Sequence, residues 1–227
     1  MSKKYNVAIA GATGNVGREI IQILEDRDFP IDKLYLLASS RSKGQKIDFK
    51  GDEIVVEDLA EFDFSKVQIS LFSPGGKVSA EFAPKAAKAG CLVIDNTSHF
   101  RMHENVPLIV PEVNASSLEE FFNDDDRSNI IANPNCSTIQ MVVALKPLHD
   151  ESIINRVVVS TYQSVSGGGK ESMDELAKQI AEQKRQIAEC EKRQKTIDKL
   201  QQEKKQRELY QAYKMPSDTL LLDLVSH

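Results

Sequence analysis

The sequence predicts an α/β chain built on a doubly wound parallel sheet, and three observations carry that prediction. Short apolar runs recur at Val7–Ala10, Lys33–Ala38, Val67–Phe72, Cys91–Asp95 and Ile130–Ala132, each the length of a buried strand. Segments of helical period lie between them, at Arg18–Glu25 and Lys77–Ala89. Strands that alternate with helices pair in parallel. The first strand also runs directly into a glycine-rich turn and then a helix, as a parallel crossover requires.

The remaining elements follow in order. Gln45 to Val56 reads as a weaker strand pair, and Pro84 is expected to kink or divide the helix that contains it. Leu108–Val110 is a further short strand. Asn133-Pro134-Asn135 then turns the chain, because the residue before proline is pushed out of the helical region. A helix follows through Ile139–Leu145, and Arg156–Gln163 has the pattern of a strong strand. Ser164–Lys170 is a glycine-rich loop. A helix begins near Glu171 and runs to about Tyr213. From Glu182 to Glu208, 21 of 27 residues are Lys, Arg, Asp, Glu or Gln, and the apolar heptad breaks at Gln194 and Gln201. A solvated single helix is expected there rather than a coiled coil. Pro216 ends it, and Thr219–Val225 is a short apolar tail.

Composition narrows the class. The chain has 227 residues, 41% hydrophobic and 28% charged, which suits a soluble protein with a real core. A net charge of −5 gives no footprint for nucleic acid. The N-terminus leads straight into a strand, and no apolar run can span a membrane, so a cytoplasmic location is expected. The three cysteines (Cys91, Cys136, Cys190) lack metal-site or disulfide spacing. His99 and His103 stand four apart, but nothing nearby completes a site, so no metal is expected.

Two motifs carry chemistry. Gly11-Ala12-Thr13-Gly14-Asn15-Val16-Gly17 sits between a strand and a helix, the setting in which backbone amides cradle a pyrophosphate. This points to a Rossmann-type dinucleotide site, with a plain tight turn as the alternative. The second strand ends in Ser39-Ser40-Arg41 rather than an acid. Hydroxyls and a guanidinium suit a 2′-phosphate, which favours NADP over NAD, unless Arg41 is only a solvated loop charge. The second motif is Cys136 at the start of the helix that follows Asn133-Pro134-Asn135. Unpaired amides and the positive end of the helix favour thiolate over thiol, which readies a sulfur for attack on a carbonyl carbon. A small hydrophobe at a helix start is the plainer alternative.

Taken together, these stretches resemble the aspartate-semialdehyde dehydrogenase family. The resemblance rests on the Gly11–Gly17 turn, Asp95-Asn96-Thr97-Ser98-His99-Phe100-Arg101-Met102, Val110-Pro111-Glu112-Val113-Asn114, Asn133–Thr138 and Thr161-Tyr162-Gln163-Ser164-Val165-Ser166-Gly167. It runs from about Tyr5 to about Ile180. It implies NADPH-dependent reductive dephosphorylation of L-aspartyl 4-phosphate to L-aspartate 4-semialdehyde through a thioester on Cys136. That step serves lysine, threonine, methionine and diaminopimelate biosynthesis. It further implies that Arg101 binds phosphate, Asn135 orients substrate and Gln163 contacts substrate in the active site. Ser73, Gly75 and Gly76 would pass the adenosine side of the cofactor, and Ser166 and Gly167 the nicotinamide end. A homo-oligomer is expected.

The family pattern continues with a histidine general acid–base in an Arg-x-Pro…Gly-His setting, and no stretch here matches it. The expected organisation is an NADP-binding domain over 1–134, a partial catalytic and dimerisation domain over 135–181, and a polar helix and tail unrelated to the family over 182–227. The alternative function is a catalytically incomplete NADP-binding, oligomerising module or a truncated gene product.

Overall fold

Alternation along the first strand sets the architecture. Val7 and Ile9 point to one face of a sheet and Ala8 and Ala10 to the other, and all four are buried. Both faces of that strand are therefore covered, as a parallel sheet demands. The computed structural model describes residues 3–124 and 127–213. Its chain divides into two units, Met1–Ser164 and Val165–His227.

The first unit runs β1 (Tyr5–Ala10), α1 (Asn15–Asp26), β2 (Ile31–Ala38), β3 (Lys46–Phe49), β4 (Asp52–Asp58), β5 (Ile69–Phe72), α2 (Gly76–Lys88), β6 (Leu92–Asp95), α3 (Pro111–Asn114), α4 (Ser117–Asn123), β7 (Ile130–Ala132) and α5 (Cys136–Glu151). The strands form one sheet in the order β3-β4-β2-β1-β5-β6-β7. All neighbours are parallel except β3 with β4, which form an antiparallel hairpin. The chain leaves β1 toward β2 on one side and returns as β5 on the other. The point where strand order reverses therefore lies beyond the carboxyl ends of β1 and β5, where open α/β sheets hold their ligands.

Two apolar layers flank the sheet. On one face Val7, Ile9, Leu34, Leu36 and Val56 pack with Ile21 of α1. On the other Ala8, Ala10, Leu37, Phe72 and Val93 pack with Ala83, Ala86 and Ala87 of α2. Ile9, Leu36, Leu37 and Phe72 are fully buried, and each contributes roughly 1.5–3 kcal/mol of transfer free energy. The second unit holds a turn at Val165–Gly168 and α6 (Lys170–Tyr213), a single helix of 44 residues whose described side chains are exposed.

Several expectations are corrected. Arg156–Gln163 is not a strand: residues 153–164 carry no ladder, and Val158 and Tyr162 are 80% and 104% exposed. The pattern suits a strand, but none of the described residues pairs with it, and a strand's amides and carbonyls need that partner. Leu108–Val110 makes only one bridge, Leu108 to Ala132. Pro84 does not divide α2, which runs through it. Helices α3 and α4 were not expected, because each is too short to show a period. Pro216 and the Thr219–Val225 tail lie outside the described residues.

The β1–α1 turn tolerates no side chain at Gly17. A Cβ there would lie 2.2 Å from the Gly11 carbonyl oxygen and 2.8 Å from Ala12 Cα. Gly17→Ala is expected to lower stability by about 3 kcal/mol or more, since backbone must move. Gly76→Ala, with its nearest neighbour atom at 3.9 Å, is expected to stay within about 1 kcal/mol. Urea unfolding of both variants checks this.

Candidate functional site

The switch point opens into a cleft of about 530 Å³. Its floor is the β1–α1 turn, through Gly11, Thr13 and Gly14. One side is Ser39, Ser40 and Arg41 after β2, and another is Ser73 and Pro74 after β5. The turn is fixed by its main chain. The Gly11 and Ala12 amides donate to Leu37 O at 2.8 and 3.1 Å, and the Gly14 amide donates to Gly11 O at 3.0 Å. Gly11 has φ +85°, and a Cβ there would meet the Ser73 carbonyl group at 2.8 Å.

These residues fit a dinucleotide. Helix α1 has Gly14 as N-cap, with no side-chain cap, and no acid in its first turn. An anion at that helix start would meet backbone amides and no competing carboxylate. Arg41 is exposed and makes no hydrogen bond or ion pair among the described residues, so it is available to a phosphate. Asn15, Val16 and Gly17 form the first turn of α1, with Gly17 buried beneath it. Gly75 caps α2 at φ +93° and Gly76 opens that helix, so both shape the loop after Ser73 without lining the cleft. Ser166 and Gly167 lie in the second unit, in the Val165–Gly168 turn. Asp58, Leu59 and Ala60 at the end of β4, with Val78 and Phe82 of α2, complete the walls. Sequence reasoning did not reach them, because the pairing of β4 beside β2 is a long-range fact. The Val-Glu-Asp ending of β4 was the available signal.

A second groove of about 620 Å³ brings Cys136 and Gln163 together, with Gln140, Met141, Thr161 and Tyr162 among its walls. Cys136 is the first residue of α5 and is exposed. Asn135 is the N-cap: its Oδ1 accepts the Ser137 amide at 3.0 Å. The expected substrate-orienting asparagine thus holds the helix start, leaving its Nδ2 without a hydrogen bond to any described residue.

The turn before Cys136 is anchored in the sheet. The Asn133 amide donates to Asp95 O at 2.8 Å, and Asn133 Nδ2 donates to Asn96 Oδ1 at 2.6 Å. Arg101 is half-buried and donates from Nε to Asn133 O and from Nη2 to Asn96 O, each at 3.0 Å. It is not a surface ion pair. Its fork bridges the two loops, and Nη1 makes no hydrogen bond to the described residues. Behind this, the Asp95 carboxyl accepts from Ser79 Oγ at 2.7 Å, Thr97 Oγ1 at 2.7 Å and the Thr97 amide at 3.1 Å. Nothing in the sequence signalled Ser79 as a partner.

The family model described as semialdehyde dehydrogenase, NAD binding domain, matches residues 6–121. A second, semialdehyde dehydrogenase, dimerisation domain, matches residues 145–215 and so extends across the charged helix. Aspartate-semialdehyde dehydrogenase 2 of Vibrio cholerae is 57% identical over 181 residues, covering 80% of this chain and 52% of that protein. The crystal structure of aspartate semialdehyde dehydrogenase II complexed with ASA, from Vibrio cholerae, aligns at a TM-score of 0.75 with 56% identity, over 79% of this chain and 52% of that one. The Candida albicans enzyme with NADP aligns at 0.55 with 25% identity, over 67% and 48%. The chain spans about half the length of the curated relatives it matches.

Accessibility separates Cys91 from the other two cysteines. Cys91 is wholly buried, and burial pushes its thiol up to about 12. Iodoacetamide near neutral pH is expected to label Cys136 faster than Cys190, which is also exposed, and to leave Cys91 unlabelled until the chain unfolds. Raising pH from 7 to about 9 is expected not to expose Cys91, whose proton stays bound in the folded state. Peptide mass analysis over time checks the order, and equal rates at Cys136 and Cys190 would contradict activation at the helix start.

Proposed function

We propose a function from one premise: this chain belongs to the semialdehyde dehydrogenase family. In this reading it is the nucleotide- and thiol-bearing part of an NADP-dependent aspartate-semialdehyde dehydrogenase. The reaction is reduction of L-aspartyl 4-phosphate to L-aspartate 4-semialdehyde with release of phosphate. The observation that carries the reading is the presence, in one unit, of a dinucleotide-shaped cleft at the β1–α1 turn and an exposed cysteine at a helix start beside Gln163.

The chain's own residues divide the work. The Gly11–Gly17 turn takes the pyrophosphate on the amides of α1, and Ser39, Ser40 and Arg41 take the 2′-phosphate. When bound, the dinucleotide supplies the hydride. Cys136 attacks the acyl carbon, forming the carbon–sulfur bond as the carbon–oxygen bond to phosphate breaks and phosphate leaves with the electron pair. Loss of the sulfur after reduction returns the thiolate and frees the aldehyde. The Nη1 donors of Arg101 suit the leaving phosphate, and Gln163 and the free Nδ2 of Asn135 suit the aspartyl end.

The same reading keeps the bounds 1–134, 135–181 and 182–227, but treats the charged helix as family sequence because the dimerisation-domain match runs to residue 215, and it keeps a cytoplasmic location and a homo-oligomer. Support for the oligomer is the match to a dimerisation domain together with exposed apolar side chains at Val158 and Tyr162. No helix among the described residues is long and apolar enough to cross a membrane.

Among the described residues, no histidine lines the Cys136 groove. Turnover of semialdehyde, phosphate and NADP by this chain is expected about 100- to 10,000-fold below that of a full-length relative, and Cys136→Ser is expected to abolish it. Turnover that survives Cys136→Ser would overturn the assignment. Arg41→Glu is expected to weaken NADP binding at least about tenfold while leaving NAD binding little changed, measured by calorimetric titration. An unchanged preference would remove Arg41 from the 2′-phosphate site.

A further inference from the structure

We propose that Asp58 sets the balance between NADP and NAD, accepting the ribose 2′-hydroxyl of NAD and opposing the 2′-phosphate of NADP. This rests on the dinucleotide reading of the β1–α1 cleft. Doubly wound sheets read the ribose beyond the end of the second strand, where an acid selects the free hydroxyl. Here β2 ends in Ala38, followed by Ser39-Ser40-Arg41, with no acid. The acid comes from the next strand. Parallel pairing sets Asp58, the last residue of β4, directly opposite Ala38, about 4.8 Å away in the pairing direction. Asp58 lines the same cleft as Ser39, Ser40 and Arg41.

The carboxylate has capacity left over. Its Oδ1 accepts the Ala60 amide at 3.0 Å, capping the short turn Leu59–Glu61. Oδ2 makes no hydrogen bond to the described residues, and no described cation pairs with Asp58. Lys43, the nearby cation whose charge Asp58 supports, is already paired with Glu61. A cap needs only an acceptor oxygen, which asparagine or serine also offers. The charge at position 58 is therefore surplus to the turn, and it faces the subsite where the two dinucleotides differ. With Arg41 attracting a 2′-phosphate and Asp58 repelling it, the cleft admits both cofactors with a narrowed preference.

The test is calorimetric titration of the full chain with NADP and with NAD, for the unaltered protein, Asp58→Asn and Asp58→Ser. Both variants keep a cap and lose the charge, so one serves if the other fails to fold. The ratio of NADP to NAD affinity is expected to rise about tenfold in each, through tighter NADP and weaker NAD. An unchanged ratio, with both dinucleotides still bound, would overturn this inference alone and leave Asp58 a cap. No binding of either dinucleotide by the unaltered chain would overturn the cofactor reading and this inference with it.

Discussion

The buried carboxyl of Asp95 is the point on which the reactive face of this sheet depends. It is fully buried with no cation paired to it among the described residues, and three donors hold it: the hydroxyls of Ser79 and Thr97 and the Thr97 amide. Those bonds tie the end of β6 to helix α2 and to the segment that carries Arg101. The Asp95 carbonyl oxygen also receives the Asn133 amide, which joins β6 to the turn before Cys136. An unmet donor in such a site costs about 1–3 kcal/mol, so each of the three bonds matters to the join. Arg101 then closes the arrangement from outside by holding the Asn96 and Asn133 carbonyls at once.

The nucleotide cleft depends on a different restriction, one of space. Gly11 and Gly17 bring the β1–α1 turn into contact with itself and with Ser73, leaving no room for a Cβ. That contact sets the height of the helix start above the sheet edge, and so the position of its amides. Sheet order does the rest. Because β4 lies beside β2, the cleft has a wall at Asp58–Ala60 facing the loop at Ser39–Arg41. The thiol groove and the nucleotide cleft are thus products of one sheet whose strand ends are fixed by glycine contacts at β1 and a buried carboxyl at β6.

What could be read from the sequence was local. The β1 turn, the strand ends Ser39–Arg41 and the helix start at Cys136 carry their geometry in a few consecutive residues, and all lie where that reading put them. The family itself was also legible, because its motifs are short and ordered along the chain. What was missed is long-range. Ser79 and Asp95 are far apart in sequence, and Asp58 matters only because Ala38 is its sheet neighbour. Arg156–Gln163 misled for the same reason: alternation and β-branching describe a side chain's preference, while a strand exists only with a partner. Asn135 and Arg101, both marked for substrate, turn out to spend hydrogen bonds on the scaffold as well.

A crystal structure of this chain with NADP bound tests the central claim most directly. The account predicts pyrophosphate density over the amides at the start of α1, with the 2′-phosphate against Arg41 and the adenosine between the Asp58–Ala60 wall and Phe82. A dinucleotide bound elsewhere on the chain, or its adenosine bound away from that wall, would contradict it.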